Sequence, residues 1–108
     1  MLTGYRLMWM TVMFDLPVVE AAERRAATQF RNALLDLGFQ MCQYSVYMRF
    51  CTSSTQVETY CKAVEQALPS GGKVNILQFT DKQYERIISF QGRRKQAAYK
   101  TPDQFDLF

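Results

Sequence analysis

The ionisable side chains of this sequence allow only a narrow range of chemistry, because it contains no histidine. Ser–His and Cys–His nucleophile pairs are therefore excluded, and so is a histidine general base. The three cysteines, Cys42, Cys51 and Cys61, include no pair spaced as in a zinc knuckle, so a zinc site built by this chain is nearly excluded. Any catalysis must use carboxylates, lysine, tyrosine or a metal ion.

Asp15 is the carboxylate whose position most suggests a function. It follows the apolar segment RLMWMTVMF and stands two residues before Pro17, at the end of a predicted strand. Two interpretations are open. Asp is favoured at the first position of a turn, where it hydrogen-bonds its own backbone, and spacing alone favours this structural role. The alternative is that Asp15 is a metal ligand.

Positively charged side chains form two groups that are candidate nucleic-acid contacts: Arg24 and Arg25 on a predicted helix, and Arg93, Arg94 and Lys95 near the C-terminal end. The net charge of +3 permits nucleic-acid binding without requiring it. Runs of charged residues usually only face the solvent, and Arg24 and Arg25 also fit the solvent-exposed surface of a helix. A dimer would present the second group twice, however, and DNA is held mainly through neutralised phosphates. We therefore expect the group near the C-terminal end to bind the phosphate backbone of DNA.

Hydrophobic periodicity predicts the elements that position these residues. The first strand, Arg6–Asp15, is apolar on both faces, which predicts a central strand covered on both sides. A helix over Glu20–Leu37 ends at Gly38. The segment Gln40–Phe50 alternates with a period of two, which predicts one strand or two short strands separated by a bend.

The rest of the chain continues this alternation of helices and strands. Its predicted elements are a helix over Thr52–Leu68, a strand over Lys73–Phe79, a helical turn over Asp81–Tyr84 capped by Thr80, a short strand over Ile87–Phe90, a basic loop over Gly92–Pro102 and an edge strand over Asp103–Phe108. The order β-α-β-α-β with short C-terminal strands predicts an α+β, ferredoxin-like domain over residues 1–92. Residues 93–108 are predicted to form a basic loop and a C-terminal tail.

Two helices on one face of the sheet leave the other face in need of a cover. A second copy packed sheet to sheet is the simplest one, and we assign Trp9, Met13 and Tyr47 to this homodimer interface. Trp9 and Tyr47 could instead stack on bases, but their apolar neighbours favour packing, either in the core or in the dimer interface. A tail at a chain end is usually frayed, which would leave its apolar side chains in water. Their presence is better explained if the tail adds a strand to the other subunit or to a partner protein through Phe105, Leu107 and Phe108.

Short segments of the chain, in their order and spacing, resemble the CRISPR-associated Cas-two family. They are Met13–Pro17 at the end of the first strand, the arginine-bearing helix after it, and Gln43–Tyr47. Further segments resemble the branch found beside the large RNA-guided nuclease of type II loci: Tyr5–Trp9, Gly38–Phe39, Tyr47–Arg49, Asn75–Leu77 and Thr80–Gln83. The resemblance spans residues 5–92.

The resemblance implies a ferredoxin-like homodimer that bridges the Cas-one integrase and binds protospacer double-stranded DNA during spacer acquisition. It also implies a Mg²⁺-dependent endonuclease activity on RNA or DNA in some members, with Asp15 as metal ligand and catalytic residue. Two Asp15 side chains facing each other across a two-fold axis would supply a carboxylate pair, and substrate phosphate would complete the shell. The chain differs from some members at Met41, where they carry an arginine.

Three functions are therefore to be distinguished. The first is a dimeric adaptor that clamps DNA and contributes little chemistry, and the second is a metal-dependent endonuclease. The third is an unrelated ferredoxin-like dimer that binds a small ligand, because fold does not determine function. For location we expect the cytoplasm, because the cysteine count is odd and the apolar run Leu7–Phe14 is shorter than the roughly 18 residues of a membrane span.

Overall fold

A four-stranded antiparallel sheet with two helices on one face forms the centre of the computed structural model, which describes residues 7–96. Its elements are β1 Met8–Asp15, α1 Ala21–Asp36, β2 Gln40–Gln43, β3 Val46–Cys51, α2 Ser54–Gln66, β4 Lys73–Thr80, α3 Asp81–Glu85, β5 Phe90–Gln91 and β6 Arg94–Lys95. The sheet order is β2-β3-β1-β4, and β5 pairs with β6 separately. This arrangement confirms the predicted ferredoxin-like α+β fold. The predicted edge strand with Phe105, Leu107 and Phe108 lies outside the described residues.

Strand β1 lies between β3 and β4, as the apolar character of both its faces predicted. Met10 and Val12 are fully buried on the helix side of the sheet. They share one core cluster with residues of both long helices: Phe30, Leu34, Val57 and Val64. Because side chains alternate along a strand, Trp9 and Met13 must point to the opposite face.

The short helix α3 covers part of that opposite face. The Trp9 ring stacks on Tyr84 with 3.7 Å between ring centroids and 9° between ring planes. Its Nε1–H donates to Oδ1 of Asp81 at 3.0 Å. Helix α3 is fixed by the predicted cap, in which Thr80 and Gln83 exchange side-chain hydrogen bonds with each other's backbone N–H. Trp9 is therefore buried by its own chain, with 2% of its surface exposed. This corrects its assignment to the dimer interface.

Strands β2 and β3 are joined by the two-residue turn Tyr44–Ser45, so the alternative of two short strands is confirmed. Tyr47 pairs with Val12 and is 3% exposed in the core beneath the helices. Its assignment to a sheet-to-sheet interface is therefore wrong. The alternating pattern of Gln40–Phe50 was misleading because the strand face that packs against the helices carries a charged residue, Arg49, beside Tyr47.

Arg49 is accommodated there because it links the ends of two elements. Its Nη1 donates to the carbonyl of Leu37, the C-cap of α1, at 2.9 Å, and its Nη2 donates to the hydroxyl of Tyr60 at 2.8 Å. The guanidinium also lies 3.9 Å above the Tyr60 ring. A positive charge at a helix C-terminus and over an aromatic face is stabilised electrostatically. Arg49 therefore connects β3 to both long helices.

Replacing Gly38 by alanine is expected to disrupt this link. Gly38 ends α1 at φ +88°, and a Cβ at this position would collide with the Arg49 guanidinium. The left-handed backbone and the collision together should lower the free energy of unfolding by about 2 kcal/mol or more. Urea denaturation at a fixed chain concentration measures this. Gly92→Ala is the matched control, because Gly92 has φ +63° and nothing within 4 Å of an added Cβ. Equal losses for both variants would show that Arg49 moves aside without consequence.

Candidate nucleic-acid interface

Asp15 is the exposed last residue of β1, at one end of the sheet. Strand alternation places it on the same face as Met13, opposite α1 and α2. Its neighbour on β4 is Lys73. Chain packing at this end is tight, since a Cβ on Gly72 at φ +88° would lie 2.7 Å from the Asp15 carbonyl oxygen. The Asp15 backbone is therefore closely held while its side chain is accessible.

The loop that follows Asp15 is held by the first turn of α1. Oε1 of Glu23 accepts hydrogen bonds from the backbone N–H of Glu20 at 2.9 Å and of Val19 at 3.1 Å. Nη1 of Arg24 donates to the carbonyls of Val18 at 3.2 Å and Val19 at 2.6 Å. Arg24, predicted as a phosphate contact, thus has a positioning role in the loop.

The turn interpretation of Asp15 required its side chain to hydrogen-bond its own loop. Within residues 7–96 the carboxylate makes no such bond, and the contacts that hold the loop come from Glu23 and Arg24 instead. Arg25 is exposed on α1, so its guanidinium is accessible to a ligand. The structure therefore leaves Asp15 and Arg25 accessible, whereas Arg24 is engaged.

The basic group near the C-terminal end forms a small hairpin. Phe90 pairs with Lys95 and Gln91 with Arg94 around a turn at Gly92–Arg93, and the side chains of Arg93, Arg94 and Lys95 are exposed. The prediction of a loop from residue 93 onward is wrong over Arg94–Lys95, which form β6. Gly92 permits the tight turn because it adopts φ +63°. The predicted domain boundary after residue 92 thus falls inside this hairpin.

Two observations bear on metal and thiol chemistry within one chain. No group of three potential metal-binding side chains occurs in the part of the chain that the structure describes. Desolvation by burial is the main cause that raises the pKa of the Cys42, Cys51 and Cys61 thiols. A raised pKa keeps a thiol protonated at neutral pH, and a protonated thiol is a poor nucleophile.

One residue beside Asp15, Lys73, was missed from the sequence. Lys73 lies at the start of β4, directly across from Asp15. The antiparallel register would have identified it, but this requires knowledge of which strands pair. No helix in residues 7–96 is long and apolar enough to span a bilayer.

The fold and these exposed charges define a ferredoxin-like domain with a candidate nucleic-acid interface. The model of the family CRISPR associated protein Cas2 matches residues 8–87. A protein from Paracidovorax avenae named CRISPR-associated endoribonuclease Cas2 is 76% identical over 108 residues, which is 100% of both chains. Proteins of the same name from Flavobacterium psychrophilum and Parvibaculum lavamentivorans are each 41% identical, over 99% and 94% of this chain and 93% and 100% of their own. The chain belongs to the Cas2 family, the Cas-two family of the predicted resemblance, which excludes an unrelated ferredoxin-like protein.

Proposed function

We propose that this chain acts as a homodimer in CRISPR spacer acquisition, where it binds protospacer DNA and bridges the Cas-one integrase. We further propose a Mg²⁺-dependent endonuclease activity on RNA or DNA at paired Asp15 side chains. The observation that carries the proposal is an accessible carboxylate at the end of the central strand, on the sheet face that α1 and α2 leave free. Family membership and the names of the relatives support it.

The dimer is supported by the apolar residues that remain exposed on this face. Helix α3 covers Trp9, but Met13 is 39% exposed and Leu77, on the neighbouring strand, is 43% exposed. A second copy packed on this surface would cover both and would bring two Asp15 residues to one interface. The apolar tail Phe105–Phe108 is proposed to extend this contact by adding an edge strand to the other subunit or to the integrase.

One carboxylate from each chain is enough to hold a single Mg²⁺ ion shared between the two subunits. Mg²⁺ is usually bound by one or two carboxylates together with water and substrate phosphates, and each chain contributes Asp15. When bound, such an ion activates water and stabilises the leaving oxygen. Asp15 would hold the ion, and Lys73, its cross-strand neighbour, would attract a phosphate to the same place.

DNA binding is proposed for the β5–β6 hairpin, whose turn and second strand present three adjacent positive side chains. Two hairpins per dimer would contact several phosphates at once, with Arg25 as a further contact. Binding through phosphates releases counterions, so the affinity should fall steeply with salt. A salt-dependent affinity is the property that separates this proposal from binding of a small uncharged ligand.

The test compares two double variants of equal net charge. Arg93→Gln/Arg94→Gln removes two charges from the hairpin, whereas Arg31→Gln/Lys62→Gln removes two charges from α1 and α2. Fluorescence anisotropy with duplex DNA across a salt series should give a weaker affinity and a shallower log–log slope for the hairpin variant, by about 0.9 for each lost phosphate contact. The control variant should retain most of the wild-type slope. Equal slopes for both variants would show that the β5–β6 hairpin does not contact DNA.

An adaptor without chemistry is the second candidate, and one observation favours it. Efficient hydrolysis needs a general base beside the metal, but the acidic residues in the segment after Asp15 are already engaged. Glu23 accepts two backbone hydrogen bonds, and Glu20 takes part in the same capping box. Protonation of either carboxylate would weaken the capping contacts at the start of α1. Cleavage by the dimer would therefore be slow even with the metal bound.

A further inference from the structure

Gly72 is the residue through which the loop before β4 touches the end of β1. It adopts φ +88° and stands immediately before Lys73, the β4 partner of Asp15. A Cβ on Gly72 would lie 2.7 Å from the carbonyl oxygen of Asp15 and 3.0 Å from Cα of Leu16. Both of these atoms belong to the backbone, which cannot rotate away as the end of a side chain can. Only glycine therefore fits here without moving the peptide group between Asp15 and Leu16.

The backbone at the end of β1 is held from two sides. On the side of β3, the backbone N–H of Phe14 donates to the carbonyl of Ser45 at 3.0 Å. On the side of β4, Gly72 lies against the carbonyl of Asp15. The Asp15 side chain itself is exposed. The place of its carboxylate is therefore set by the backbone that carries it.

The segment that follows Asp15 has room to move if it is pushed. A cavity of about 160 Å³ lies between this segment, the start of α1 and the loop before β4, and its lining includes Leu16, Pro17 and Gly71. Close-packed protein interiors resist displacement, whereas a cavity allows it. A Cβ added at Gly72 should therefore displace the Asp15–Leu16 peptide group without preventing the chain from folding.

We propose that Gly72 is a positioning residue for the metal site, because its missing side chain lets β4 begin directly against the Asp15 backbone. The inference rests on the proposed function and adds a residue to its site. Mg²⁺ requires nearly ideal octahedral geometry, and metal ligands must be held to within about 0.5 Å. With a Cβ on Gly72, the Asp15 oxygen would have to move from 2.7 Å to the 3.4 Å of an ordinary contact, which exceeds that tolerance. In a dimer the shift would displace both carboxylates at once.

The experiment measures binding of Mn²⁺, used as a probe of the Mg²⁺ site, to the full-length protein by electron paramagnetic resonance with Mg²⁺ as competitor. Gly72→Ala should weaken the Mn²⁺ affinity about 10–100-fold, the loss typical when a group that supports a metal ligand is replaced. Gly72→Asn should lose as much affinity with a smaller drop in melting temperature. Asparagine also carries a Cβ, but it adopts the left-handed backbone more readily than alanine.

Gly71→Ala is the matched control in the same loop, since its Cβ would meet only Cγ of Pro17, at an ordinary 3.8 Å. Gly38→Ala is the control for backbone strain, because Gly38 has the same φ of +88° but its Cβ would meet Arg49. Both controls should bind Mn²⁺ like the wild-type protein, although Gly38→Ala is less stable. Sedimentation of Gly72→Ala at the concentration of the assay should show the wild-type fraction of dimer.

Two results would overturn the inference and leave the proposed metal site standing. Unchanged Mn²⁺ affinity in Gly72→Ala, with binding abolished in Asp15→Asn, would show that Gly72 does not position the carboxylate. Loss of the dimer in Gly72→Ala, in proportion to the loss of Mn²⁺ binding, would assign Gly72 to the contact between subunits. If the wild-type protein and Asp15→Asn bound Mn²⁺ equally, the metal site of the proposed function would be contradicted, and the inference with it.

Discussion

Asp15→Asn is expected to reduce Mg²⁺-dependent cleavage of RNA or DNA by about a hundredfold or more. The change keeps the size of the side chain and removes the charge that holds the ion. Loss of residues that only support metal ligands already lowers metal affinity or activity by about 10–100-fold. Losing the ligand itself from both subunits should have at least that effect. Initial rates on labelled oligonucleotides across a Mg²⁺ titration measure it.

Contamination by other nucleases is the main risk in that assay, so a matched variant must be purified in parallel. Asp36→Asn removes one negative charge from the exposed end of α1 and should cleave like the wild-type protein. If Asp15→Asn cleaved as fast as Asp36→Asn, Asp15 would not be the metal ligand. An integration assay with the Cas-one integrase then separates the two roles, since an adaptor should still support integration when Asp15 is replaced.

The parts of the fold that could be predicted from the sequence are those set by neighbouring residues. Helix α1 ends before Gly38 because only glycine readily adopts the left-handed conformation found there. Helix α3 was predicted with Thr80 as its cap, and in the structure Thr80 forms a capping box with Gln83 within a single turn. The central position of β1 followed from its two apolar faces. Each of these signals is contained in a few consecutive residues.

The wrong predictions concern side chains whose surroundings in the fold are set by residues distant in sequence. The indole of Trp9 was assigned to an intermolecular contact because nothing near it in sequence could cover it, but Tyr84 and Asp81 fold back over it. Tyr47 was misassigned because Arg49 makes its strand face look polar, although Arg49 is held at a helix end. A hydrophobic pattern records side-chain type and cannot include partners that are distant in sequence.

The candidate site shows the same division between local and distant signals. The position of Asp15 at the end of a strand could be predicted because a strand and a turn surround it in the sequence, whereas its role as a metal ligand was implied by the family resemblance. Lys73 joins it only through strand pairing, so no spacing rule would have found it. Arg24 was predicted as a nucleic-acid contact from its charge, its place on the helix after Asp15 and the family resemblance, and none of these reveals that its guanidinium is engaged with the carbonyls of its own loop.

Trp9→Ala is expected to produce the largest loss of stability among the substitutions considered. The indole is 2% exposed, stacks on Tyr84 and donates to Asp81 at 3.0 Å. Truncation of a buried tryptophan to alanine lowers the free energy of unfolding by about 3–5 kcal/mol. Urea unfolding at several chain concentrations should show this loss at every concentration, because the contacts removed lie within one chain.

Met13→Ala is the matched control, since Met13 lies on the same face of the same strand but is 39% exposed. Its effect should appear mainly as weaker dimerisation, which sedimentation at low concentration measures. A double-mutant cycle between Trp9→Ala and Tyr84→Ala should show strong coupling, with the double variant losing much less than the sum of the single losses. If Trp9→Ala weakened the dimer as Met13→Ala does and showed no coupling to Tyr84, Trp9 would belong to the intermolecular interface after all. The apolar surface available for dimerisation would then be larger than the region around Met13 and Leu77.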